Sequence, residues 1–181
     1  MTQSSGNQTQ ERAPAASGGA VRGLAALLDW LVRIPKWLRV MVPIIGMAVL
    51  WWSSSQVPDD QPHSTARSLF HNTMHVVAYA CISASLWVAW SRRPIHAVCA
   101  FRSRGAWLLA TLYGVVDELH QSFVPGRVCS FADLVSDASG AALAVVVLRG
   151  VSGVAPSWRR IAGILVAASL FSVAAATFAN W

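Results

Sequence analysis

The chain has 181 residues, 55% hydrophobic and 12% charged, with a net charge of +6 and nine tryptophans. Soluble domains carry about 25% charged residues, so this composition excludes an ordinary soluble globule and points to a single membrane domain. The positive charge sits in short Arg clusters between apolar runs, with no basic helix interleaved with aromatics, and this excludes nucleic acid as a partner.

Met1 to Ala20 is rich in Ser, Gln, Gly, Ala and Pro and lacks the apolar stretch of a signal peptide. Residues 1–20 read as a disordered cytoplasmic tail. In residues 21–35, Leu24, Leu27, Leu28, Leu31 and Ile34 recur at helical spacing, while Arg22, Asp29 and Arg33 lie mainly off that stripe. This pattern predicts an amphipathic helix lying flat on the membrane surface, outside the bundle, and ended by Pro35.

A helix needs about 20 residues to cross the hydrocarbon core. Five segments are assigned as spans: Trp37–Trp52, Thr73–Trp90, Ala106–Val116, Phe131–Leu148 and Ile161–Trp181. The third is short, because Asp117, Glu118 and His120 follow it at once. Residues 36–150 then form a four-helix membrane core, and residues 151–181 add a C-terminal transmembrane helix. The predicted fold is all-α, a polytopic bundle of about five spans with an N-terminal interfacial helix.

Charge sets the orientation. Of the 14 Lys and Arg residues, twelve lie before or at the start of the first span or in the Arg92–Arg104 and Arg149–Arg160 connections. Only Arg67 and Arg127 fall in the other loops. The positive-inside rule therefore predicts a cytoplasmic N-terminus in the inner membrane, with Trp181 outside. If the third span did not cross, the bias would shrink, so it is read as spanning. Cys81, Cys99 and Cys129 are scattered and read as free thiols. Trp30, Trp37, Trp51, Trp52, Trp90, Trp158 and Trp181 read as interface anchors.

The acidic residues mirror the basic ones. Asp59, Asp60, Asp117, Glu118, Asp133 and Asp137 all fall toward the outer side, joined by His63, His71, His75 and His120. His71, His75 and Tyr79 share one helix face, each about 6 Å deeper than the last. Asp117 and Gln121 are i, i+4 partners, and Glu118 and Gln121 are i, i+3 partners. Of the adjacent pair Asp117 and Glu118, one is expected at solvent and one buried. His75, Glu118 and Asp137 come out at matching depth, roughly one turn inside the outer boundary. Ionisable groups there cost about 2.5–3.5 kcal/mol each, so they face the bundle interior and pair.

Candidate acid–base residues are therefore His75, Glu118 and Asp137, and candidate ligand-binding residues are Tyr79, Gln121, Arg127 and Asp133. Arg127 is expected to neutralise the buried carboxylates or to anchor an anion. Ser130-Phe131-Ala132-Asp133 also fits a capping box, which accounts for Asp133 but not for Asp137. His71 and His75 have the spacing of a helical metal-ligand pair. Interior hydrogen-bonded imidazoles have the same spacing, and neither a metal nor a cofactor is assigned. Gly140 and the alanines after it read as a close-packing surface.

Several of these stretches resemble the VanZ-like family of small membrane proteins. They are Ser53-Ser54-Ser55, His75-Val76-Val77-Ala78-Tyr79, and Tyr113 followed by Asp117-Glu118-Leu119-His120-Gln121. Phe123-Val124-Pro125-Gly126-Arg127, Ser130-Phe131-Ala132-Asp133-Leu134 and Asp137-Ala138-Ser139-Gly140 complete the match. The resemblance runs from about Trp37 to Leu148. Three positions depart from it: His71 and Asn72 stand where the family usually shows Asp-Lys, and Asp137 where it usually shows Asn. The resemblance implies a cell-envelope setting and an effect on susceptibility to teicoplanin-type glycopeptides. The bilayer is the expected partner, with a lipid-linked or peptidoglycan-related ligand at the outer polar site. An enzyme using carboxylate and His acid–base chemistry on an envelope substrate is the alternative. A proton-coupled transporter lacks the internal repeat and broken helices it would need.

Overall fold

The computed structural model describes residues 19–57, 65–92, 100–127, 129–153 and 157–178. The expectations for residues 1–18, Asp59, Asp60, His63, Cys99 and Trp181 fall outside them. All six elements are helices, with no strand among the described residues: α1 (Gly19–Leu31), α2 (Lys36–Ser54), α3 (Thr65–Trp90), α4 (Ala100–Gln121), α5 (Phe131–Val151) and α6 (Trp158–Phe178).

Helices α2, α3 and α5 are long and apolar enough to cross a membrane. Helix α4 carries Arg102 and Arg104 at one end and Asp117 and Glu118 at the other, which lowers its hydropathy. Its 22 residues nonetheless extend about 33 Å, enough to cross the hydrocarbon core. Helix α6, at 21 residues, is comparable, and both pack along α5. The fold is an all-helical bundle consistent with about five spans. Its outer surface exposes Ile44, Ile45, Leu112, Leu170 and Phe171, a covering suited to lipid.

Side-chain bonds fix the direction of each helix. Arg39 at the start of α2 donates to the Val88 carbonyl (2.6 Å) and the Ser91 carbonyl (3.0 Å) at the end of α3. The last carbonyls of a helix are short of partners, and this guanidinium donates to two there, the Val88 carbonyl also accepting from the Ser91 N–H at 3.2 Å. The indole of Trp87 late in α3 donates to Ser103 early in α4 at 3.2 Å. Ser55 just past α2 meets His120 late in α4 at 2.9 Å. Between α5 and α6, Ser136 pairs with Ser172 and Ser139 with Ser169, each at 2.9 Å. The helices α2 to α6 therefore alternate up and down. One end gathers Lys36, Arg39, Arg92, Arg102 and Arg149, and is here the basic end. The other gathers Asp117, Glu118, Asp133 and Asp137, and is the polar end.

Helix α5 is central, packed by α3, α4 and α6. Its contact with α3 is made close by Gly140, where a Cβ would run into the Val76 backbone. The close-packing surface expected there is present. The amphipathic segment is helical, but it does not stand outside the bundle. Leu28 and Val32 are buried in one cluster with Leu86, Trp87, Val145, Leu148 and Val151. Its charged side stays exposed, with Arg33 bonded to Asp29 at 3.0 Å. Of the predicted stripe Leu28 is buried, Leu24, Leu31 and Ile34 are half-buried and Leu27 is exposed, while Val32 outside it is buried; the helix docks on the basic end of the core because Trp87 and Val151 offer an apolar floor.

Candidate functional site

The polar end is built from three helix termini. Helix α3 enters with His71, His75 and Tyr79 along one face, and the rings follow one another. His71 meets His75 edge-on with centroids 4.9 Å apart, and His75 lies parallel to Tyr79 at 6.4 Å. Helix α4 ends in Asp117, Glu118 and Gln121. Helix α5 starts at Ser130, whose hydroxyl accepts from the Asp133 backbone N–H at 3.3 Å, as a capping residue should. Asp137 lies one turn deeper.

These three helices bring the predicted acid–base residues together. His75 Nδ1 lies 3.1 Å from Asp137 Oδ1, with the two side chains 10% and 0% exposed. Potential ligand atoms of His75, Glu118 and Asp137 all lie within 4.8 Å of one another. Glu118 Oε2 accepts from the Ser130 backbone N–H at 2.7 Å, which ties α4 to the start of α5. Gln121 donates to Asp117 Oδ2 at 3.1 Å, so its partner is the i, i+4 residue.

Two expectations are corrected. Asp117 and Glu118 are both buried, at 2% and 3% exposure. Adjacent helical residues point about 100° apart, and α4 is covered on one side by α2 and on another by α5. Arg127 does not pair with the carboxylates. Its Nε donates to the Gln56 carbonyl and its Nη2 to the Ser53 carbonyl, both at 3.2 Å. It caps the end of α2, adding a donor to the Ser53 carbonyl, which also accepts from the Gln56 N–H at 3.2 Å. The only described ion partner of the four carboxylates is thus His75.

A cleft of about 120 Å³ opens between α2, α3 and α4. His71, His75, Asp117, Gln121 and Arg127 line its polar side, and Leu50, Met74 and Ala78 its apolar side. Around it lies a set of buried oxygens without hydrogen bonds among the described residues: Tyr79 Oη, Asp117 Oδ1, Glu118 Oε1, Asp133 Oδ1 and Asp137 Oδ2. Buried polar groups are normally satisfied, and each exception asks for an explanation.

Some of the site escaped sequence reasoning. Gly114 makes room for Asp137: a Cβ there would sit 3.0 Å from Asp137 Oδ2 and 3.3 Å from Tyr79 Cε1. Its signal was a lone glycine inside an apolar helix, which marks close approach. His120 stacks on Trp51 with centroids 3.9 Å apart, so this tryptophan packs at the site's edge. Asn72 donates to Thr177 at 3.1 Å and is used to hold α6.

The family model described as VanZ/LLP1 matches residues 39–152, from α2 through the end of α5. No curated protein and no solved structure matches the chain. The matched stretch contains every residue of the polar cluster and more than half of the chain, and the protein belongs to the VanZ/LLP1 family.

Proposed function

We propose that the chain works in the cytoplasmic membrane of the cell envelope, with its N-terminus inside and its polar end facing outward. There it takes up a small polar group of a lipid-linked or peptidoglycan-related ligand and so modulates susceptibility to teicoplanin-type glycopeptides. The observation that carries this reading is the cleft leading from the polar end to His75. Its size narrows the ligand. Pockets for drug-sized molecules hold about 300–1,000 Å³, so a cleft of about 120 Å³ suits a head group or a peptide terminus, not a whole glycopeptide.

A second reading is favoured by one contact. A carboxylate 3.1 Å from an imidazole is how acid–base enzymes orient a proton carrier. On that reading His75 moves the proton, Asp137 holds the ring, and Glu118 is the second carboxylate.

Orientation is tested first. Alkaline phosphatase fused after Trp181 should be active, and fused within the Arg92–Arg104 stretch inactive. The reverse pattern would turn the polar end to the cytoplasm. The function is tested in a glycopeptide-sensitive host. Expression should raise the inhibitory concentration of teicoplanin several-fold, and a His75→Ala, Glu118→Gln variant present at equal membrane level should not. No difference between the wild type and an empty vector would sink the proposal. Asp137→Asn separates the two readings, because an amide keeps the shape and a hydrogen bond but not the charge that orients a proton carrier. A retained effect favours binding, and a lost effect favours catalysis.

A further inference from the structure

The geometry points to a divalent transition-metal site formed by His75, Glu118 and Asp137. Three helices each contribute one ligand, and the ligand atoms lie within 4.8 Å of one another in a buried setting. One imidazole nitrogen and two carboxylates are a donor set for zinc or a similar ion, whereas magnesium and calcium favour all-oxygen shells. Metal–ligand bonds of about 2.0–2.2 Å place ligand atoms about 3.0–3.5 Å apart around one ion. The 3.1 Å contact between His75 and Asp137 shows that these two side chains reach such a spacing, and a Glu118 carboxylate oxygen lies within 4.8 Å of the candidate atoms of both.

Charge and hydrogen bonding point the same way independently. Asp117, Glu118, Asp133 and Asp137 gather here, and among the described residues their one ion partner is an imidazole. Wherever these acids are ionised, one imidazole leaves negative charge unbalanced, and a divalent ion would supply the missing positive charge. Asp137 Oδ2 and Glu118 Oε1 are buried with no hydrogen bond from any described residue, and a metal bond would satisfy such atoms. The surroundings also resemble a metal site's outer shell. The Ser130 N–H fixes the other oxygen of Glu118 at 2.7 Å, and outer-shell bonds of this kind hold ligating carboxylates in place. The cleft beside His75 gives an ion its entry path. Three protein ligands leave a coordination position for water or for a ligand oxygen, the arrangement of reactive zinc sites. This inference concerns what fills the cluster and does not depend on the envelope reading, so its test reads metal and not drug susceptibility.

Full-length protein without a polyhistidine tag, purified in detergent, is stripped with chelator and dialysed against zinc, and bound metal is counted per chain. One zinc per chain is expected in the wild type and in Cys81→Ser, which alters an exposed thiol on α3. His75→Ala, Glu118→Gln and Asp137→Asn should each lose most of it. Cobalt loading of the wild type should give the visible absorption bands of a low-coordinate nitrogen–oxygen site. That readout needs no variant and decides the matter should the variants fail to fold. Wild-type protein that holds no zinc, stoichiometric zinc retained in Glu118→Gln and Asp137→Asn, or cobalt spectra of the hexaaqua type would each overturn the site.

Discussion

Gly140→Ala should destabilise the bundle by about 1–3 kcal/mol, the usual cost of overpacking a filled interior. The added Cβ would lie 3.0 Å from the carbonyl carbon and the Cα of Val76, and closer still to its carbonyl oxygen. Those are backbone atoms of α3, and no rotamer change moves them aside. Helices α3 and α5 must separate, and this contact lies next to the site. Val76 follows His75 in α3, and Asp137 precedes Gly140 by less than one turn in α5. The same separation therefore stretches the 3.1 Å His75–Asp137 contact. Gly163→Ala on α6 is the control, since a Cβ there meets nothing within 4 Å. A helical Gly→Ala change in open space is worth up to about 1 kcal/mol in the stabilising direction. Thermal unfolding of both variants in detergent checks the contrast. Equal stability of Gly140→Ala and the wild type would show that the interface is looser than described.

The polar cluster was legible in the sequence because helices convert position into depth at a fixed rise. His75, Glu118 and Asp137 came out level by counting, and their ligand atoms do meet. What stayed hidden depends on which surface faces which. Arg127 follows Gly126, whose φ of 78° is the left-handed conformation that glycine adopts readily. That turn carries the guanidinium to the end of α2 instead of to the carboxylates, and hydropathy gives no sign of it. The stripe of Leu24, Leu27, Leu28, Leu31 and Ile34 was equally plain, but a stripe does not say whether lipid or protein covers it, and Leu27 stays exposed. Asn72 shows the limit from another side. It occupies a position where the family usually has Lys, and its partner Thr177 belongs to a helix beyond the family match, so neither pattern foretold the bond.

His75→Ala should be the costliest change within the site, at about 3–5 kcal/mol, the range for leaving one member of a buried ion pair alone. Asp137 is fully buried, and among the described residues the imidazole is its only hydrogen-bond partner. Tyr79 is close to Asp137, yet its hydroxyl makes no hydrogen bond among the described residues and offers no replacement in the present packing. The cost has two parts, a lost contact and a stranded carboxylate, and they can be separated. Asp137→Asn removes the charge while keeping a group of nearly the same shape. In the double variant His75→Ala, Asp137→Asn nothing charged is left stranded, so a large part of the loss should return. Hydrogen bonds to charged groups contribute about 1.5–3 kcal/mol, and the coupling energy from the four-variant cycle should fall in that range. The cycle is run on purified protein in detergent with chelator present, so that any bound metal contributes nothing to the difference. Strict additivity of the two substitutions would show that His75 and Asp137 do not depend on each other, and that the carboxylate takes its stabilisation from elsewhere.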